Sequence, residues 1–167
     1  MKPKLSQTSK MPCKSFALPR STCPMKCSYC YAHKGYYLFK AVQELREHNL
    51  KCTRQKSFVA DMVSLIDGMD YFRWHDSGDI YSKAYLKKIE YIARCTPKTK
   101  HWIPTKAWIK YYDELLAFQE RCPNVTIRCS SAMVDYINAP MGFPCSMVAK
   151  DKLPMKGRYG TFTMSNV

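Results

Sequence analysis

The sequence predicts an α/β fold with a mainly parallel sheet of about four to six strands. Short segments rich in β-branched or aromatic residues alternate with segments of helical periodicity. Clusters of cysteine or polar residues follow the segments interpreted as strands. The chain has 167 residues, of which 46% are hydrophobic and 13% aromatic, so it can bury one core. We therefore expect a single domain whose functional loops collect at the carboxyl ends of the strands.

The predicted elements follow the order strand, two helices, strand, helix, strand, helix, strand. Strands are expected at residues 14–18, 71–75, 101–107 and 125–131, and helices at residues 36–50, 57–69, 81–95 and 108–122. In the first helix, the apolar residues at helical spacing are Leu38, Ala41, Val42 and Leu45. In the third they are Tyr85, Leu86, Ile89, Ile92 and Ala93. Gly68 and Pro97 fit the ends of the second and third helices. Trp74, Trp102 and Trp108 are assigned to the core.

Residues 13–137 form the expected core, preceded by a basic N-terminal tail at residues 1–12. The C-terminal segment 138–167 is rich in proline and glycine and lacks clear periodicity. It is expected to be irregular, forming a loop, a lid or an edge strand near residues 159–164. The chain has no apolar run long enough to cross a membrane and no apolar N-terminal signal segment. We therefore expect a cytoplasmic protein.

The chain is strongly basic, with 27 Lys and Arg against 13 Asp and Glu and a net charge of +14. An excess of this size favours polyanionic partners, so the expected substrate is a nucleic acid or a phosphorylated molecule. The alternative is a basic protein that binds no nucleic acid, because the lysines are scattered along the chain.

Nine cysteines in an intracellular chain indicate metal or cluster ligation, because cytosolic thiols stay reduced and the count is odd. Cys23, Cys27 and Cys30 form the pattern C-x3-C-x-aromatic-C, in which Tyr29 is the aromatic residue. Thiolates are the ligands that iron–sulfur clusters require. Three thiolates on a four-iron cluster leave one iron open to bind a further group.

This spacing resembles the hallmark of the radical SAM superfamily. The resemblance implies that Cys23, Cys27 and Cys30 hold a [4Fe–4S] cluster whose open iron binds S-adenosylmethionine. An external reductant would supply one electron, and a 5′-deoxyadenosyl radical would then abstract hydrogen from an unknown substrate. The resemblance also implies a (β/α) barrel, which would here be partial and open because only about four strands are found.

Further site residues follow from the same resemblance. Ser77, Gly78 and Asp79 end the second strand where the superfamily has a glycine-rich motif, and Asp79 would accept a hydrogen bond from the methionine ammonium. Tyr29 would pack against adenine or the cluster, or within the core. The residues that could meet the ribose or the carboxylate follow the next two strands: Thr105, Lys106, Ser130 and Ser131, with Arg128 as the alternative for the carboxylate.

The segments CSYCYAHKG and RWHDSGD are together more narrowly similar to a phage and bacterial family called gene product eighty-eight, over roughly residues 13–131. If a phage encodes the chain, the expected compartment is the host cytoplasm. Within the second segment, His75 and Asp76 are candidates for a catalytic acid–base pair. The alternative is a hydrogen-bonded structural histidine.

Two other functions stay open from the sequence. The same cysteines, completed by Cys13 or His33, could form a structural zinc site in a nucleic-acid-binding module. Zinc sites usually contain two C-x2-C pairs, however, and here only Cys27 and Cys30 form one. Alternatively, an iron–sulfur cluster could serve electron transfer alone. Three more cysteines are either further cluster ligands or simply buried residues: Cys13, Cys52 and Cys145.

Overall fold

The computed structural model describes residues 1–8, 11–135 and 140–148. Six strands lie at Ser6–Gln7 (β1), Lys14–Phe16 (β2), Tyr71–Trp74 (β3), Lys100–Thr105 (β4), Val125–Val134 (β5) and Cys145–Val148 (β6). They form one sheet in the order β1–β2–β3–β4–β5–β6. β1 is antiparallel to β2, and every following pair is parallel. The prediction of an α/β fold with a mainly parallel sheet is thus confirmed, and the sheet formed by these strands is open.

Four helices connect the strands. They are α1 (Lys40–Thr53), α2 (Phe58–Ile66), α3 (Lys83–Cys95) and α4 (Trp108–Arg121). Because successive parallel strands are also neighbours in space, right-handed crossovers bring the helices to one face of the sheet. That face contributes alternate strand residues to the core: Phe72, Trp74, Ile103, Val125, Ile127 and Cys129. No helix in the described part of the chain has the length and apolarity needed to span a membrane.

The opposite face of the sheet, which we call the open face, carries the intervening residues of β3, β4 and β5. These are half-buried rather than buried: Arg73, Trp102, Pro104, Arg128 and Ser130. Trp102 was predicted in the core, and this prediction was wrong. Its ring lies on the open face, with the Arg73 guanidinium 4.9 Å from the ring centroid. An indole can occupy such a half-buried position because a cation stacked on its ring covers the apolar surface.

The two edge strands lie in segments for which the sequence predicted no regular core structure. β1 belongs to the predicted basic tail, and it pairs with the otherwise unpaired edge of β2. β6 belongs to the segment predicted as irregular, and it satisfies backbone groups of β5, since the Cys129 N–H bonds the Pro144 carbonyl at 2.9 Å. The strand expected at residues 159–164 lies outside the described residues.

The buried face of α1 differs from the predicted one. Leu38 and Ala41 are exposed, whereas the buried side chains are those of Arg46, Asn49, Cys52 and Thr53. The Asn49 amide donates to the carbonyls of Lys4 (2.9 Å) and Ala17 (3.1 Å). Hydrogen bonds to backbone groups thus set the orientation of this helix more than its apolar residues do.

Candidate functional site

The segment between β2 and α1, residues 17–39, contains the three closely spaced cysteines and is called the cysteine loop below. Three short 3-10 turns shape it, at Arg20–Thr22, Tyr31–His33 and Gly35–Leu38. The loop leaves the carboxyl end of β2, and the parallel strands β3 to β5 end at the same edge of the sheet. The thiols that it carries are free and partly exposed: Cys23, Cys27 and Cys30.

Cys23 lies within reach of two consecutive backbone N–H groups. Burial raises the pKa of the Cys23 thiol and the nearby Asp79 adds to the rise, whereas hydrogen bonds from the N–H groups of Met25 and Lys26 act to lower it. Lys26 has a φ of 45°, in the left-handed region. A turn of this kind points successive N–H groups at one spot, and such nests bind anions, including iron–sulfur sites. The turn can therefore stabilise a Cys23 thiolate.

Lys106, the first residue after β4, reaches across to the cysteine loop. Its Nζ lies 3.3 Å from Cys27 Sγ and 2.8 Å from the Tyr29 hydroxyl, and it sits 4.6 Å from the centroid of that ring. Burial lowers the pKa of Lys106, but the hydrogen bond to Tyr29 and the neighbouring Cys27 raise it above its usual value. The Tyr29 hydroxyl in turn donates to the Ala132 carbonyl of β5 at 2.5 Å. Lys106 and Tyr29 thus join the loop to β4 and β5.

Asp79 is buried between the loop after β3 and the start of α4. Its Oδ1 accepts hydrogen bonds from the Thr105 hydroxyl (2.6 Å) and the Ile80 N–H (2.7 Å), and its Oδ2 accepts from the Lys106 N–H (2.8 Å). Burial raises the pKa of Asp79 to about 6, although these hydrogen bonds act to lower it. Both carboxylate oxygens therefore serve to join two loops. A contact with the methionine ammonium stays a prediction.

Ser77 and Gly78 hold the loop after β3 against the cysteine loop. The Ser77 hydroxyl donates to the Leu18 carbonyl at 2.7 Å, and the Leu18 N–H donates to the Ser77 carbonyl at 2.9 Å. Gly78 has a φ of 73°, and a Cβ at this position would lie 2.6 Å from Thr22 Oγ1 and 2.7 Å from Leu18 Cβ. The glycine permits close backbone approach, as its motif suggested, but the group that approaches is the protein's own loop.

His75 and Asp76 are adjacent in sequence but have different surroundings. His75 is buried with its Nε2 3.1 Å from the Tyr85 hydroxyl, and burial lowers its pKa to about 3. The Asp76 carboxylate lies 3.3 Å from Arg73 Nη1 and accepts from the Tyr37 hydroxyl at 3.3 Å. The structure does not bring these two side chains together, and His75 has the surroundings of a structural histidine. Their catalytic role stays a prediction.

The three candidates on β5 divide between the two faces of the sheet. Arg128 and Ser130 lie on the open face, where Arg128 donates to the Cys145 carbonyl at 3.0 Å and the Ser130 hydroxyl lies 3.3 Å from that of Ser146. Ser131 alternates with them and is buried on the helix side. Arg128 and Ser130 are therefore better placed than Ser131 to meet a ligand on the open face.

A cluster of two arginines and two tyrosines around Asp76 was not predicted from the sequence. Arg46 is 5% exposed and its guanidinium lies 4.5 Å from the centroid of Tyr37, whereas Arg73 contacts the Asp76 carboxylate. The Tyr31 hydroxyl donates to the Asp76 carbonyl at 2.6 Å. The spacing of Arg73 and Asp76 within RWHDSGD was the available signal, but nothing in the sequence indicates that Arg46 joins them.

Within residues 1–8, 11–135 and 140–148, no three His, Cys, Asp or Glu side chains are grouped closely enough to hold a single metal ion. A four-iron cluster distributes its three thiolates over three iron atoms, so its ligands surround a larger space. The cysteine loop offers three free thiols, with backbone N–H groups beside Cys23 and the Lys106 ammonium beside Cys27. These residues fit a four-iron cluster chemically. Of the two residues suggested to complete a zinc site, Cys13 precedes β2, whereas His33 lies within the cysteine loop.

A family model described as Gene product 88 matches residues 2–161. The comparisons with curated proteins and with solved structures give no match. The similarity noted for the segments CSYCYAHKG and RWHDSGD is therefore confirmed and extends over nearly the whole chain.

Proposed function

The chain belongs to the gene product 88 family, and we propose that it is a radical-SAM-type enzyme built on a partial, open (β/α) barrel. In this proposal Cys23, Cys27 and Cys30 hold a [4Fe–4S] cluster, and S-adenosylmethionine binds at its open iron. When bound, and reduced by an external one-electron donor, the cluster would supply reductive cleavage of the sulfonium to methionine and a 5′-deoxyadenosyl radical that abstracts hydrogen from a substrate. The observation that carries the proposal is the contact of Lys106 with Cys27, because it joins the thiol-bearing loop to the carboxyl end of β4.

The chain's own groups prepare the thiols for ligation. Iron binds the thiolate rather than the thiol, so donors beside the sulfur atoms favour the form that ligates. The N–H groups of Met25 and Lys26 act in this direction on Cys23, although burial and Asp79 raise its pKa overall. The Lys106 ammonium lies 3.3 Å from Cys27 Sγ, where it can donate a hydrogen bond to a ligated sulfur. Hydrogen bonds from charged donors are about twice as strong as neutral ones. Lys106 is therefore assigned the larger part of this stabilisation.

The open face supports the binding of a small charged cofactor beside the loop. Arg128 can offer its guanidinium to a carboxylate, and Ser130 lies on the same face of β5. Tyr29 is 36% exposed, and its hydroxyl donates to the Ala132 carbonyl on the same strand. An aromatic ring held in this way can pack against the adenine.

A second group of residues acts by fixing the loops rather than by touching the cofactor. Asp79 and Thr105 join the loop after β3 to the start of α4, and Ser77 and Gly78 hold it against the cysteine loop. We assign these four residues to positioning. Such rigid support is what a site needs to keep its ligands within a fraction of an ångström of productive geometry.

Anaerobic purification followed by iron, sulfide and zinc analysis tests the cluster, and release of 5′-deoxyadenosine from S-adenosylmethionine under dithionite tests the chemistry. We expect a brown protein with about four irons per chain. Cys27→Ser should abolish iron binding and cleavage, whereas Cys95→Ser, a change at an exposed cysteine of α3, should alter neither. A colourless protein with stoichiometric zinc would overturn the proposal. Four irons without release of 5′-deoxyadenosine would instead favour electron transfer.

A further inference from the structure

The cysteine loop carries an unusual concentration of exposed apolar side chains. Eleven large hydrophobic residues are exposed in the described part of the chain, and five of them fall within residues 29–39. These five are Tyr29, Tyr31, Tyr36, Leu38 and Phe39. Tyr36 and Phe39 are each 61% exposed. A contiguous exposed apolar surface of this kind marks an interaction site.

Four aromatic rings in this stretch form a continuous series, which we call the aromatic ladder: Tyr31, Tyr37, Tyr36 and Phe39. Their successive ring centroids are 5.2, 6.0 and 5.8 Å apart, and each pair meets edge to face. Hydrogen bonds to Asp76 fix two of the phenols. The Tyr31 hydroxyl donates to the Asp76 carbonyl, and the Tyr37 hydroxyl donates to the Asp76 carboxylate. Tyr31 and Tyr37 are therefore held in place before any partner arrives, and Tyr36 and Phe39 pack edge to face beyond this fixed end of the ladder.

The segment that carries the ladder is basic, although the Asp76 carboxylate lies against Tyr37. Residues 1–43 contain eight Lys and Arg and no Asp or Glu, and the first acidic residue is Glu44. Three lysines of this segment are exposed, Lys26, Lys34 and Lys40, and the last two flank Tyr36 and Phe39 in sequence. The ion pair that Lys40 forms with Glu44 spans 3.9 Å between well-exposed side chains, and such pairs contribute little. The positive charge is thus available to an anionic partner.

We propose that the aromatic ladder and its lysines bind single-stranded nucleic acid. Unpaired bases would stack on Tyr36 and Phe39, and the phosphates would meet Lys34 and Lys40. Exposed aromatic rings within a positively charged surface are how proteins hold single strands without reading their sequence. A second copy of the chain fits less well, because a symmetric contact would bring two like-charged surfaces together.

The ladder begins one residue after Cys30, so a bound strand would lie next to the thiols of the cysteine loop. Single-stranded nucleic acid would then be the substrate class of the proposed enzyme, and this assignment rests on the proposed function. Binding itself requires neither S-adenosylmethionine nor turnover, so it can be measured separately.

The test is fluorescence anisotropy with the full chain and labelled oligonucleotides of mixed sequence, as single-stranded RNA, single-stranded DNA and duplex DNA. We expect both single strands to bind more tightly than the duplex. Tyr36→Ala and Phe39→Ala should each weaken binding by about fivefold to about 150-fold, the range for loss of one stacked base. Tyr91→Ala, which removes a ring of similar exposure (58%) on α3, should leave binding unchanged.

A charge-matched pair of variants distinguishes the effect of a lysine next to the ladder from the effect of lowering the net charge of the chain. Lys34→Glu should weaken binding and reduce its salt dependence, because fewer counterions are released. Lys87→Glu makes the same change of charge at an exposed position of α3 and should have a much smaller effect. Circular dichroism of every variant checks the fold, which should be retained because all the replaced side chains are exposed.

Three results would overturn the inference. The first is that Tyr36→Ala binds single strands as tightly as the unchanged chain does. The second is that the unchanged chain binds duplex and single strand with equal affinity. The third is that the unchanged chain self-associates without binding oligonucleotide, and that Tyr36→Ala abolishes this self-association. Normal cleavage of S-adenosylmethionine without oligonucleotide binding would refute this inference alone. Oligonucleotide binding by a chain that holds no cluster would refute the proposed enzyme alone.

Discussion

Replacing Gly78 with alanine tests how closely the loop after β3 is held against the cysteine loop. Gly78 has a φ of 73°, and an added Cβ would lie 2.6 Å from Thr22 Oγ1, 2.7 Å from Leu18 Cβ and 2.9 Å from the Leu18 carbonyl oxygen. The Thr22 hydroxyl can rotate away. The two atoms of Leu18 cannot, so one loop must move relative to the other.

The expected cost has two parts. Alanine in the left-handed region costs about 1–2 kcal/mol. Overpacking of a filled site costs about 1–3 kcal/mol more, so Gly78→Ala should lower the free energy of unfolding by about 2–5 kcal/mol. Gly68 offers a matched control, because its φ is 82° and no atom lies within 4 Å of an added Cβ. Gly68→Ala should therefore cost only the backbone part.

Urea denaturation of the cluster-free chain at equilibrium measures both variants, and the difference between them isolates the steric part. Iron content after anaerobic reconstitution gives a second measurement. Because the displaced loop carries Cys23, Gly78→Ala should bind less iron than Gly68→Ala. Equal free energies of unfolding for the two variants would refute the close packing. A destabilised Gly78→Ala chain that still binds a full cluster would refute its link to the thiols.

Three further predictions concern pH and the polar contacts of the site. Burial lowers the pKa of His75 to about 3 and that of His101 to about 4. Below about pH 6.5 the unfolded chain therefore binds more protons than the folded one, and each histidine removes up to about 1.4 kcal/mol of stability per pH unit as pH falls. Urea denaturation between about pH 7 and pH 5 measures this loss, and His101→Gln should lessen it. Asp79, whose pKa is raised to about 6, acts in the opposite sense. Asp79→Asn should therefore destabilise the fold by about 1–3 kcal/mol yet steepen the loss of stability on acidification, and an unchanged slope would contradict this account. Lys106→Met keeps the N–H that bonds Asp79 but removes the ammonium from the thiol, so the affinity of the chain for iron in anaerobic reconstitution should fall about 10- to 100-fold. The comparison variant is Lys110→Met, which also removes a lysine stacked on a tyrosine, and no fall in Lys106→Met relative to it would count against the role of the ammonium.

The main elements could be predicted from the sequence because their local patterns agree with their packing. In α3 every residue predicted on the apolar face is buried, from Tyr85 to Ala93. The prediction failed for α1, where Asn49 is fixed by backbone carbonyls distant in sequence. β1 and β6 could not be predicted either. β1 has only two residues and β6 lies in a segment rich in proline and glycine, and each is defined by the edge with which it pairs.

The convergence of the site could also be predicted, because parallel strands end at one edge and the clusters followed those ends. The direction of individual side chains could not. An aspartate after a serine–glycine turn can face a ligand or cap a helix, and only the position of α4 shows that Asp79 bonds to the N–H of Lys106. Arg46 is likewise far from Asp76 in sequence, and it joins this cluster through the ring of Tyr37, on which its guanidinium lies.

The contacts between the cysteine loop and the loop after β3 make the thiols and the aromatic ladder parts of one rigid unit. Ser77 and Gly78 fix the start of the cysteine loop at Leu18, and the adjacent Asp76 fixes its later part through the phenols of Tyr31 and Tyr37. The same short turn therefore sets the position of the cysteines and that of the surface proposed to receive a strand. Because both are anchored to consecutive residues, we expect their separation to change little when either site is occupied. A radical formed beside the cysteines would then meet a substrate held at a set distance, which is what selective hydrogen abstraction requires.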